Sequence, residues 1–305
     1  MGRVKNLEEI KAMIRERTGK RNVFRRVRRA DVETVLAALT SKDPELWARE
    51  WSRVAKPYEV EGSRQEQAGR SNEARDAYLM AYTYYAIGRY PVPHTPGKED
   101  CFHKSLELYE KAGRYFSPPL ERIEIPFGEK SIPVYLRVAR DGRRHPVVIN
   151  FGGIDSFKAE SYEYDEALQQ AGLGTCAMDM PGVGESPIKG STSAESLFTA
   201  VIDYLRERPE IDPKRIGMQG RSFGGYWSAK MAFVEAERLC AAVSWGGGIH
   251  YFFQEDWLRK STNAESYLMD HDIARCRAFG VRSIDGLARV FPALSLKTQG
   301  WLERP

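Results

Sequence analysis

The chain has 305 residues, of which 42% are hydrophobic and 29% charged, and its formal net charge is +4. Such a composition belongs to a folded globular protein with enough apolar residues for a sizeable core, and it excludes a disordered or fibrous chain. The small, dispersed positive excess excludes a nucleic-acid or polyanion footprint, and no apolar run is long enough to span a bilayer.

The N-terminal stretch MGRVKNLEEIKAMIRER lacks the apolar segment of a signal peptide, so a cytoplasmic protein is expected. The basic cluster Lys20, Arg21, Arg25, Arg26, Arg28 and Arg29 reads as the wet face of an N-terminal helical segment. Up to about Phe116 the pattern is helical. Tyr78, Tyr82 and Tyr85 share one stripe with Ala77 and Ala81, and Phe102, Leu106, Tyr109 and Ala112 repeat the spacing in a second helix. Pro91, Pro93, Pro96 and Gly97 break the chain between them. The pair is similar to a tetratricopeptide hairpin, but no second copy follows at a fixed period, so a repeat array is rejected.

After Ser117-Pro118-Pro119 the period becomes alternating: Ile123, Ile125 and Phe127, a turn at Gly128, then Ile132, Val134, Leu136 and Val138. This predicts an antiparallel hairpin opening a new domain, which divides the chain into a helical region, 1–116, and a second domain, 117–305. Strands are then expected at 146–151, 175–180, 215–219 and 241–245. Helices are expected at 158–171, 194–206 and 224–236. Apolar strands alternating with amphipathic helices predict an α/β fold with a mostly parallel sheet covered on both faces. Residues 248–293, rich in aromatic and charged side chains, are expected to form a helical cap. Cys101, Cys176, Cys240 and Cys276 contain no C-x-x-C pair, which argues against a disulfide framework and a zinc site. Cys176 and Cys240 lie in apolar runs and are expected as buried thiols.

The string RIGMQGRSFGG, residues 215–225, carries the chemistry: a strand runs through G-x-S-x-G into a helix. A serine at such a turn occupies a strained backbone position, and the flanking glycines leave room where side chains would collide. This makes Ser222 the candidate nucleophile. The Phe223 N–H at the helix start becomes the first donor to a developing oxyanion. The strand ending at Phe151 leads into Gly152-Gly153-Ile154-Asp155-Ser156, whose Gly153 N–H is the candidate second donor, with Ile154 the alternative. The loop Asp179-Met180-Pro181-Gly182-Val183-Gly184-Glu185-Ser186 is read as structural, its glycines letting it turn past the sheet end. Neither G-x-G-x-x-G nor a Walker lysine accompanies it, so no nucleotide site, cofactor or metal is implied.

From about Leu120 to Trp245, the strings GGIDSFKAE, DMPGVGES, IDPKRIGMQGRSFGG and AAVSWGG resemble the α/β-hydrolases that include the bacterial 2,6-dihydroxypseudooxynicotine hydrolase and fungal polyketide-shortening hydrolases. Those enzymes are similar in carrying a helical region ahead of the hydrolase domain. The resemblance implies a Ser-His-Asp hydrolase, often a homodimer, that cleaves a carbon–carbon bond beside a carbonyl of a small-molecule substrate. It also implies an acidic residue assisting proton transfer after the strand ending at Trp245, for which Glu255 is the nearest candidate. Ester hydrolysis uses the same acyl-serine, so the elbow does not separate the two reactions. A non-catalytic interaction protein on a hydrolase scaffold is the rival from another class.

A serine needs a histidine to take its proton and a carboxylate to orient that histidine. Only His250 and His271 follow Ser222, and both fall in the expected cap. The family order places the acid and the histidine past Pro305, together with the last strands. The chain therefore reads as a fragment of a longer enzyme rather than a short form that has lost catalysis, with His250 as a substitute base the minor reading.

Overall fold

The computed structural model describes residues 4–21, 23–262 and 267–303. The chain divides into two compact units, one built from 3–120 with 265–270 and the other from 121–264 with 271–305.

The first unit is helical: α1 (Leu7–Arg17), α2 (Arg29–Ala38), α3 (Pro44–Gln67), α4 (Ser71–Gly88) and α5 (Pro96–Gly113). Asn6 caps α1 through a reciprocal bond pair with Glu9, and Asp43 caps α3 ahead of Pro44. The tyrosine stripe of α4 is packing surface, since Tyr78, Tyr82 and Tyr85 are all buried and the Tyr82 ring lies 5.0 Å from that of Tyr109 on α5. The basic cluster departs from its expected place. Helix α1 ends at Arg17, Gly19 takes a φ of +76°, and Lys20, Arg21, Arg25 and Arg26 fall in the turns before α2. A positive φ cannot continue a right-handed helix, so these charges are solvated on a connection and not on a helix face.

The second unit opens with the hairpin of β1 (Glu121–Phe127) and β2 (Lys130–Arg137), turned at Gly128 with a φ of +60°. There follow β3 (His145–Phe151), α6 (Tyr162–Gln170), β4 (Gly174–Met178), α7 (Ser196–Glu207), β5 (Ile211–Arg221), α8 (Phe223–Val234) and β6 (Ala241–Trp245). The sheet order is β1-β2-β4-β3-β5-β6. Strands β4, β3, β5 and β6 run parallel, and the hairpin adds to them antiparallel through β2. Every residue of β4 is buried, as a strand covered on both faces requires. Helix α6 is shorter than the 158–171 expected for it, because residues 158–161 form a 3-10 turn.

The cover does not extend to β6. This strand pairs only with β5 in the described sheet, and Val243 and Trp245 are 48% and 55% exposed. Cys240, next to it, is exposed as well, contrary to the buried thiol expected from its apolar neighbours. An apolar run predicts a strand, but only its position in the sheet decides whether it is covered. Cys101, Cys176 and Cys276 are buried. Beyond β6 come α9 (Glu255–Ser261), α10 (His271–Ala278) and α11 (Ile284–Leu294). No helix among the described residues is long and apolar enough to cross a membrane.

Candidate active site

Strand β5 runs straight into α8 with one residue between them, Ser222, whose φ of 54° and ψ of −126° lie where L-residues are strained. The Ser222 amide donates to the Trp245 carbonyl at 2.9 Å, and its own carbonyl accepts from Gly225 at 2.9 Å. The turn leaves Ser222 exposed while Arg221 and Phe223 on either side are buried. The glycines of the motif are required by space. A Cβ on Gly220 would come within 2.1 Å of the Gly224 carbonyl oxygen, and one on Gly224 within 2.4 Å of the Gly152 carbonyl oxygen.

Strand β3 delivers the loop 152–157 to the same point. A Cβ on Gly153 would lie 3.0 Å from Ser222 Cβ, 3.1 Å from Ser222 Oγ and 3.1 Å from the Phe223 amide nitrogen. The three sequence-predicted residues Ser222, Phe223 and Gly153 therefore meet at one place. Ile154, the alternative donor, has its side chain buried.

The loop 179–186 is held by its first residue. Asp179 Oδ1 accepts the Lys158 amide at 2.7 Å, and Oδ2 accepts Lys158 Nζ at 3.1 Å and the Glu185 amide at 3.0 Å. Lys158 also pairs with Glu185. Gly184, with a φ of 52°, packs against the Asp179 carboxylate so closely that a Cβ would lie 2.2 Å from Oδ2. This ties the loop after β4 to the start of the 3-10 turn that follows the Gly153 loop.

Above the turn, the Phe223 ring meets Tyr226 of α8, Phe252 and Phe253 after β6, Phe279 after α10 and Phe291 of α11, with centroids 5.5–6.2 Å apart. The aromatic residues of the segment after β6 thus form an apolar cluster around the residue after the nucleophile candidate.

Among the described residues, Glu255 and His250 find hydrogen-bond partners other than Ser222. Glu255 opens α9, bonds Arg259 and has a side chain 60% exposed. His250 Nδ1 is 2.7 Å from Ser295 Oγ. His271 is buried at the start of α10, where burial first and Arg275 second hold its pKa well below the ordinary histidine value. Among the described residues no histidine or carboxylate hydrogen-bonds Ser222, and none cluster as a metal site would require.

A group of buried polar residues lies beside the elbow that the motif reading missed. Arg221 donates to Asn150 Oδ1 at 2.5 Å and to Ser161 Oγ at 3.1 Å, with its guanidinium 4.0 Å from the centre of the Tyr164 ring. Asn150 Nδ2 in turn donates to Asp165 at 2.8 Å. The available signal was Asn150 itself, a polar residue inside the apolar run PVVINF.

Residues 15–305 match the Esterase FrsA-like family. The chain belongs to that family. It is 33% identical over 205 residues to 2,6-dihydropseudooxynicotine hydrolase of Paenarthrobacter nicotinovorans, covering 66% of this chain and 55% of that protein. To Esterase FrsA of Photobacterium profundum it is 27% identical over 277 residues, covering 89% of this chain and 65% of the relative. The FrsA-like chain thus spans between half and two thirds of the length of these relatives. The solved 2,6-dihydroxy-pseudo-oxynicotine hydrolase superimposes with a TM-score of 0.75 at 25% identity, over 95% of this chain and 76% of that one. The α/β-hydrolase fold and the family read from the motifs are therefore established.

Proposed function

We propose that this chain carries the nucleophile and the oxyanion hole of a serine hydrolase. The observation that supports it is the left-handed conformation of Ser222, which exposes the residue opposite Gly153 and beside the Phe223 N–H. In this reading Ser222 Oγ attacks a carbonyl carbon as a general base takes its proton, and the Phe223 and Gly153 N–H groups hold the oxyanion. When the tetrahedral adduct collapses, the bond to the leaving group breaks. Its electron pair departs with the leaving carbon or oxygen, which receives the proton, and the acyl-serine remains. Water then attacks the acyl carbon, releasing a carboxylate and restoring Ser222.

The base and its orienting acid are not supplied by contacts to Ser222 among the described residues, and the matched relatives are longer than this chain. The test therefore uses the enzyme expressed from its complete coding sequence. A fluorophosphonate probe should label Ser222. An unlabelled protein would support the non-catalytic scaffold instead, and equal labelling of Ser222→Ala would overturn Ser222 as the nucleophile.

Carbon–carbon hydrolysis of a β-diketone or acylphenol is the preferred reaction, following the resemblance in the motifs. Ester hydrolysis is the second reading, favoured by the esterase relatives. Product analysis with a β-diketone and a p-nitrophenyl ester separates them, and turnover of the ester alone reverses the preference. A homodimer in the cytoplasm belongs to the same proposal, and light scattering tests the dimer.

A further inference from the structure

We propose that Arg221 is a positioning residue for Ser222, fixing the end of β5 so that the serine keeps its left-handed conformation. The inference rests on the hydrolase reading for its kinetic consequence, but not for its structural one.

An arginine is a costly choice at this position. Arg221 is 8% exposed, and among the described residues no carboxylate bonds it directly. Desolvating a buried charge is unfavourable, and an apolar side chain of similar volume often stabilises a fold as well or better. Stability alone therefore gives no reason for the guanidinium. Its geometry does.

The planar fork is held on three sides by residues of different elements: Asn150 on β3, Ser161 at the end of the 3-10 turn, and the face of Tyr164 on α6. Asn150 is fully buried and is oriented by Asp165, so its oxygen is turned toward Arg221 and its amide toward the carboxylate. The other face of the arrangement leads back to the serine. The Tyr164 ring meets Trp245 edge-on at 5.7 Å, and it is the Trp245 carbonyl that accepts the Ser222 amide. The residue before Ser222 and the residue that bonds its N–H are thus anchored to the same tyrosine. A non-glycine residue at this φ and ψ is strained and persists only where its surroundings over-determine it. Arg221 and Trp245 constrain the backbone from both sides.

Two variants of the enzyme expressed from its complete coding sequence test this. In Arg221→Met the apolar volume remains and the fork is lost. A displacement of about 1 Å at a reacting atom can cost about 10²-fold in rate, so kcat should fall by that order with KM nearly unchanged. Arg221→Lys should not rescue it, because a lysine keeps the charge without the two-pronged, stacked geometry. Exchanging the two partners, Asn150→Asp with Asp165→Asn, keeps an acceptor for Arg221 at position 150 and a hydrogen bond between positions 150 and 165, now donated by the amide at 165. It should retain kcat far better than Asn150→Ala. Wild-type kcat in Arg221→Met, or full rescue by Arg221→Lys, overturns the proposal. A crystal structure of Arg221→Met gives a readout independent of activity. Loss of the positive φ at Ser222 or of the Trp245 bond supports positioning, and an unchanged elbow overturns it. A wild-type protein unlabelled by fluorophosphonate would sink the hydrolase reading, while the Arg221→Met backbone would still decide this one.

Discussion

The Ser222 amide donates to the Trp245 carbonyl across a gap of 2.9 Å, joining the strained residue after β5 to the last residue of β6. The parallel register sets up this contact, because Arg221 lies opposite Trp245 and the next amide points across the sheet. Strand β6, with exposed Val243 and Trp245, thereby takes part in holding the nucleophile candidate.

The strain at Ser222 has a thermodynamic signature that needs no substrate. Alanine would be held at the same positive φ, whereas glycine adopts it freely. Ser222→Gly should therefore be more stable than Ser222→Ala by about 1 kcal/mol in urea unfolding, after the flexibility of glycine in the unfolded chain is counted. Equal midpoints would mean that the conformation costs nothing.

Gly153→Ala tests the oxyanion geometry. The new methyl would lie 3.1 Å from both the Phe223 amide nitrogen and Ser222 Oγ, in the space that the proposed mechanism gives to the substrate oxygen. Losing such a donor site costs about 10²–10³-fold in kcat, and KM should change little. Unaltered kcat would place the oxyanion elsewhere.

Gly220→Ala should fail for a different reason. Its Cβ would fall 2.1 Å from the Gly224 carbonyl oxygen and 2.8 Å from the Phe151 ring, so the backbone of the elbow must shift. A loss of about 1–3 kcal/mol is expected from overpacking of this kind, read as a lower denaturation midpoint. Wild-type stability would show that the turn can open without cost.

Asp165 makes stability depend on pH. Burial raises its pKa from 3.8 to about 7, outweighing the Asn150 hydrogen bond and the charges of Arg137 and Arg221, with Glu166 adding to the rise. The native state therefore keeps a proton that the unfolded aspartate releases near pH 4. Its contribution is most favourable below that value and declines as pH rises to about 7. Relative to wild type, Asp165→Asn should gain stability over that window at ~1.4 kcal/mol per pH unit and then hold a constant difference. A difference independent of pH between 4 and 7 would show that the two arginines keep Asp165 ionised.

How much was legible follows from which interactions are local. The elbow was legible because strand, glycine, serine, glycine and helix are consecutive, and the steric demand on Gly220 and Gly224 is met within that stretch and by the Gly152 loop. The change from helical to alternating period at the β1–β2 hairpin was legible because side-chain periodicity is set by backbone geometry. Cys240 was misjudged because its exposure depends on what lies beside β6, a relation that no local pattern encodes.

By itself the sequence determined the order of the strands and helices along the chain, the glycines that the turns need and the identity of the serine at the elbow. These rest on backbone sterics and periodicity within short windows. The tertiary structure alone decided that Gly153 stands opposite Ser222 and that Trp245 receives its amide. It also decided that Arg221, Asn150 and Asp165 form one buried network. The physical reason is that the contacts of Gly153, Trp245, Arg221, Asn150 and Asp165 join different elements of the fold, and the sheet order β4-β3-β5-β6 sets which of them meet.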